Sequence, residues 1–298
     1  EFRWVIDGAM LQPTMASRIL RALPISAIEQ VEIIRGGSAL TFGPMVGSAS
    51  PGGAPVDGFV VLRTRKPQQD EAQARLALES YQTGQASLWG GAVQERDEGS
   101  TYVAGLAAHA TTNGPREALD NGADYNVGRS SSSGLAKAGM DLRGWLVDVL
   151  VFRDDGTFEI PNANSHGAGQ GSWYMDPSKT AIAILSGSKA WSDRHTTLFA
   201  LSRSESEQTF WTANTAAGPY SFVQNDNEVT HLNLRHNIDF ARTRVMLGGD
   251  LLHWDAPNGQ QYYEGIRREE KTKGLFAQVE HSLLDERLKL DASARRDR

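Results

Sequence analysis

The sequence predicts a mainly β chain: a small α+β unit over residues 1–70, then a partial antiparallel transmembrane β-barrel over residues 71–298. Three observations predict it: a two-residue polarity rhythm from about Ala72 onward, connections that alternate between short and long, and aromatic residues beside the short ones. In the stretch from His231 to Phe240, Leu232, Leu234, His236, Ile238 and Phe240 share one face. His231, Asn233, Arg235, Asn237 and Asp239 share the other, because successive side chains of a strand point to opposite sides. Leu288, Leu290, Ala292 and Ala294 likewise oppose Lys289, Asp291, Ser293 and Arg295. Short turns centre near Asp97, Arg143, Asp193, Arg242 and Asp285, with Tyr102, Trp145, Trp191 and Phe240 close to them. Lipid offers the backbone no hydrogen bonds, so strands crossing it must pair, and amphipathic rings favour the headgroup boundary. Unequal loop lengths at the two ends and a girdle of rings are the marks of such a barrel.

The opening unit mixes periods. Phe2 to Ile6 reads as a short strand closed by the turn pair Asp7-Gly8. Met15 to Leu23 puts Ile19, Leu20 and Leu23 on one helical face, and Pro24 ends that helix. Ser26 and Glu29 have capping-box spacing, which predicts one more helical turn. Val31 to Ile34 reads as a strand leaving through Arg35-Gly36-Gly37, and Phe59 to Leu62 as a strand after the turn cluster Ser50-Pro51-Gly52-Gly53. Gly36, Gly43, Gly52 and Gly53 are assigned to backbone turns and no chemistry.

Composition narrows the function. With 36 acidic against 30 basic side chains the chain carries a formal charge of −6, which argues against nucleic acid as a partner. It has no cysteine, which removes disulfides and thiolate chemistry. No run approaches the ~18 apolar residues of a spanning helix. No G-x-S-x-G, H-E-x-x-H or P-loop pattern occurs, so no enzyme activity, metal or cofactor is expected. The glycine-rich stretch around His166 is not a phosphate loop: Ser172 stands where the last glycine belongs and no helix follows.

The order of signals in the first quarter resembles the later part of the plug domain of TonB-dependent outer-membrane receptors. The residues that carry it are Asp7-Gly8, Pro24, and Ala27 through Glu29, Val31, Glu32, Ile34, Arg35 and Gly36. Then come Ser38-Ala39-Leu40 with Phe42-Gly43, Ser50-Pro51-Gly52-Gly53, and Val60 through Thr64-Arg65-Lys66-Pro67. The Ser-Pro-Gly-Gly turn with a Lys-Pro exit is closer to siderophore receptors than to others. The resemblance implies a plugged barrel of twenty-two strands, of which about eleven follow Ala72, so the chain reads as the later plug and the first half of a barrel. It implies that Arg35, flanked by Glu29 and Glu32, meets a carboxylate of the barrel lumen, since a buried unpaired cation is costly.

It implies too an outer-membrane location in contact with lipid, and active uptake of a scarce ligand such as a ferric siderophore. The energy would come from a TonB-type inner-membrane partner, whose contact segment is expected to lie upstream of Glu1. Ligand candidates are the loop aromatics Trp173, Tyr174, Phe210, Trp211, Tyr220, Tyr262 and Tyr263, which can stack on flat chelates. The alternative is a soluble propeller-like binding protein, since a repeat in the forties also fits a four-stranded blade and Trp254-Asp255 occurs once.

Overall fold

The structure is a computed structural model that describes residues 2–11, 16, 19–20, 22–35, 41–43, 58–114, 117–118, 124–125, 128–160, 173–212, 221–258, 268–283 and 288–298. Strands β1 (Phe2–Ile6), β2 (Ala9–Leu11), β3 (Ile28–Ile34) and β4 (Gly58–Thr64) form a mixed sheet in the order β2-β1-β4-β3. β1 and β4 run parallel; the other two pairs are antiparallel. Asp7 and Gly8 take φ of 45° and 88°, the left-handed pair that turns β1 into β2 with the twist a hairpin needs. Helical residues between β2 and β3 bury Ala16, Ile19 and Leu23, and the Leu23 N–H donates to the Ile19 carbonyl at 2.8 Å.

The predicted capping box does not form. A three-residue 3-10 turn, Ile25–Ala27, follows Pro24 without a side-chain cap, and Glu29 already lies in β3. Pro24 fixes an extended entry (φ −62°, ψ 145°), and pairing with β4 then draws the chain straight into the sheet.

The wall is one antiparallel meander. Its strands are β5 (Glu71–Glu79), β6 (Thr83–Arg96), β7 (Gly99–Thr112), β10 (Arg129–Leu142), β11 (Trp145–Ile160), β12 (Trp173–Ser192), β13 (His195–Thr212), β14 (Ser221–Asp239), β15 (Thr243–Ala256), β16 (Arg268–Leu283) and β17 (Leu288–Asp297). The small pair β8 (Glu117–Ala118) and β9 (Asp124–Tyr125) sits apart, between β7 and β10 in sequence. Eleven strands thus form a single sheet in sequential order with β5 and β17 as its edges, which replaces the propeller alternative: a blade would break the ladder every four strands. The short turns near Asp97, Arg143, Asp193 and Arg242 fall at the anticipated places, and the one near Asp285 lies outside the described residues. The first hairpin also closes tightly at its opposite end, where Tyr81 and Gln82 take φ of 60° and 55° without any glycine.

The faces separate as their alternation requires. On β14, His231 is 0% exposed and Asn233 2%, whereas Leu232 is 38% and Leu234 51% exposed. The buried face looks towards the N-terminal sheet. Trp89, Leu106, Leu135, Leu150, Phe152, Ile182 and Ile184 pack there against Ile6, Leu11, Ile19, Val60 and Leu62. Further along, Val229, Leu252 and Trp254 pack against Val5, Met10, Phe59 and Val61. The outward apolar run from Leu232 to Phe240 is, at ~3.3 Å per residue and a tilt near 40°, about 20–25 Å tall, the thickness of an outer-membrane apolar band.

Trp145 and Trp191 meet edge to face at 6.3 Å on the outer side near the short turns, and the Lys189 ammonium lies over both rings. Tyr102 is not part of this girdle. Its ring faces inward and its hydroxyl donates to Asp148.

A charge in the middle of the outward face should cost far more than one at its rim. For Leu247→Arg, unfolding by urea from phospholipid vesicles is expected to show a loss of about 2–4 kcal/mol, and for His253→Arg about 0–1. Equal losses would mean the outer face does not meet hydrocarbon.

Candidate functional site: the junction of the N-terminal sheet with the wall

Three consecutive residues at the end of β4 each grip a different part of the wall. The Thr64 hydroxyl donates to Asp7, and the Thr64 N–H donates to the other Asp7 oxygen at 2.9 Å. Into this pair reaches Lys137 of β10, its side chain 0% exposed. Its ammonium donates to Asp7 Oδ2 at 3.1 Å, to the Thr64 carbonyl at 3.1 Å and to Thr64 Oγ1 at 2.7 Å, so all three N–H groups are used. Such full satisfaction is what makes a buried ammonium tolerable.

Arg65 donates to Glu71 at 2.5 Å and to Gln73 at 3.1 Å, both on β5, and stacks over Trp89 of β6 at 5.2 Å. The Trp89 indole donates to the same Glu71 carboxylate at 3.2 Å. Lys66 pairs with Asp148 of β11 and lies over the ring of Tyr102 of β7. Tyr102 fits because Gly139 faces it from β10: a Cβ there would stand 2.5 Å from the ring. Elsewhere, Asn233 of β14 donates to the Thr41 carbonyl at 3.3 Å, and the Arg235 guanidinium covers Phe42 at 5.0 Å.

Beside this junction lies a cavity of about 460 Å³ between the N-terminal sheet and strands β11 to β14. Asp7, Glu29, Glu32, Arg63, Lys66, Asp148 and Arg235 line it together with apolar Phe42, Leu146 and Phe199, so it carries both signs of charge. Glu29 and Glu32 are therefore brought to the wall. Arg35 departs from expectation: it is exposed, its guanidinium lies over the Phe2 ring at 5.1 Å, and among the described residues no carboxylate pairs with it. An exposed guanidinium avoids the cost of desolvation, and the cations that meet carboxylates across the junction are Arg65, Lys66 and Lys137. Gly43 does not take a left-handed turn conformation, and a Cβ there would meet only the flexible end of the Met10 side chain.

The predicted ligand aromatics do not converge. Phe210 points inward and is buried. Tyr174 and Trp211 stack at 6.0 Å on the opposite, outer face, with Phe222 at 5.1 Å from Trp211 and the indole donating to the Asp176 carbonyl. Adjacent residues of one strand cannot share a face, which separates Phe210 from Trp211. The backbone of Trp173 pairs with Ile160 and Thr212. Gly36, Gly52, Gly53, Tyr220, Tyr262 and Tyr263 lie outside the described residues, as does the stretch around His166. Sequence reasoning missed Asp7, Thr64 and Lys137 as a unit. The signal was present in the parity of β10, where Ala136 and Ala138 point outward and a lysine between them points in.

No protein-family profile and no curated protein matches the chain. Solved structures do. The copper transporter OprC superposes with a TM-score of 0.73 at 14% identity, over 99% of this chain and 47% of its own. The ferric yersiniabactin uptake receptor FyuA from Yersinia pestis gives 0.67 at 12% identity, over 100% and 51%. The ferripyoverdine receptor of the outer membrane of Pseudomonas aeruginosa gives 0.62 at 13%, over 99% and 45%. The chain has the fold of part of these receptors and spans about half their length.

Lys137→Met leaves the Asp7 carboxylate buried without its cation, a defect of about 3–5 kcal/mol. Hydrogen exchange of the β1 and β4 amides is expected to accelerate by more than tenfold, while β12 and β13 stay protected. Adding Asp7→Asn should restore much of the protection. Unchanged exchange in the single variant would remove the junction from the list of contacts that hold the sheet in place.

Proposed function

We propose that the chain is the later plug (residues 1–70) and half of the barrel (residues 71–298) of a TonB-dependent outer-membrane transporter that imports a metal chelate. The observation that carries this reading is a wall with an apolar exterior that wraps a separate mixed sheet, locked to it by Asp7, Thr64 and Lys137. A pore for passive diffusion has no use for such a sheet. An active importer does, because the sheet blocks the lumen until work is done on it. The outer membrane lies away from ATP, so an inner-membrane partner of the TonB type would supply that work.

The cavity lined by Glu29, Glu32, Arg63 and Arg235 is where the sheet would slide against the wall, its charges exchanging one partner for another or for water. The ligand would enter at the long-loop end. The Tyr174–Trp211 stack stiffens the rim there from outside. A ferric siderophore is the favoured cargo, on the Ser-Pro-Gly-Gly and Lys-Pro signals of residues 50–53 and 66–67 and the iron receptors of the same fold.

The test is uptake of radiolabelled ferric siderophores and of copper by cells that depend on this protein, with and without a protonophore. Import of one chelate that stops when the proton gradient collapses is the expected result. Import indifferent to the gradient, or recovery of the protein in the soluble fraction, would overturn the reading.

A further inference from the structure

On the outer face of β14 to β17 lies an apolar groove of about 930 Å³. Gly249 is its floor and Leu234, Leu247, Leu251 and Leu275 are its walls. Three exposed cations, Lys273, Arg296 and Arg298, stand along its edge towards the long-loop end, one step beyond Leu275 and Ala294 on their strands. Other outer cations of the wall, one of them on β16 itself, are matched by carboxylates. Arg203 is answered by Glu205 and Glu228, Lys179 by Glu207, and Lys271 by Glu269. Among the described residues no carboxylate pairs with Lys273, Arg296 or Arg298.

An apolar trough that ends in unmatched positive charge, at the height where the apolar band gives way to polar residues, has the chemistry of an amphiphile's mould. We infer that this groove holds one phosphate-bearing lipid of the surrounding leaflet, an acyl chain lying over Gly249 and the phosphate against Lys273 and Arg296. Burial of the chain supplies affinity, and the cations select the headgroup. The inference rests on the membrane reading proposed above.

The protein, purified in detergent and moved into nanodiscs of phosphatidylcholine with a minor share of phosphatidylglycerol, is assayed by native mass spectrometry for the lipid it retains. The wild type is expected to retain phosphatidylglycerol at least about tenfold over its share. Lys273→Gln with Arg296→Gln should abolish the preference and keep the background of phosphatidylcholine, which shows that the variant is folded and embedded. Millimolar inorganic phosphate should not displace the lipid. A wild type without preference, a preference that survives in the double variant, or displacement by phosphate alone would each overturn the site. Failure of the membrane reading looks different: the protein would stay in solution without detergent and enter no nanodisc.

Discussion

Everything in this structure follows from a wall only one residue thick that must satisfy two solvents. Each strand places its odd and even side chains in opposite environments: the outer face is apolar through its middle, and the inner face is polar except where it packs on the N-terminal sheet. Leu232, Leu234, Leu247 and Leu251 lie on one side, His231, Asn233 and Asp250 on the other. A slip of one residue in any ladder would exchange these sets, so register is held by the solvents as much as by hydrogen bonds. The inner charges are then matched locally. Arg295 lies between Asp250 and Asp297, at 2.8 and 2.7 Å, and Lys137 between Asp7 and Thr64.

The N-terminal sheet fills the space this arrangement leaves, and its fixing points differ in kind. Its broad contact with the wall is apolar and undirected: Ile6, Leu11, Val60 and Leu62 against Trp89, Leu150 and Ile184. Such packing resists separation but tolerates small displacements. The polar contacts are few, and Thr64, Arg65 and Lys66 concentrate them in one place. Directional hydrogen bonds are thus gathered mainly beside the charged cavity, with Asn233 to Thr41 and Ser133 to Ala22 as further polar contacts elsewhere.

The wall was legible in the sequence because its rule is local. Two-residue alternation gave the faces of β14 and β17, and the positions of short turns gave the order of the strands. The Asp7-Gly8 turn and the β3 and β4 strands were readable for the same reason. What escaped were facts of long-range placement. Lys137 meets Asp7 across 130 residues of sequence, and no local pattern announces that. Arg35 was assigned a lumen carboxylate by resemblance, yet the strand delivers it to the Phe2 ring. Tyr102 and Trp211 show the limit of composition: being near a turn or a loop says nothing about which face a ring takes, and a shift of one residue reverses it.

Strands β12, β13 and β14 run for 20, 18 and 19 residues, roughly twice what the apolar band requires. The surplus is a rigid parapet. Hydrogen-bonded ladders bend little, so the mouth of the structure stands at an altitude set by strand length and not by the conformations of the loops it carries. On the transport reading proposed above, cargo would be met well above the lipid surface, and trimming these three strands in register would lower the entrance while leaving the N-terminal sheet untouched.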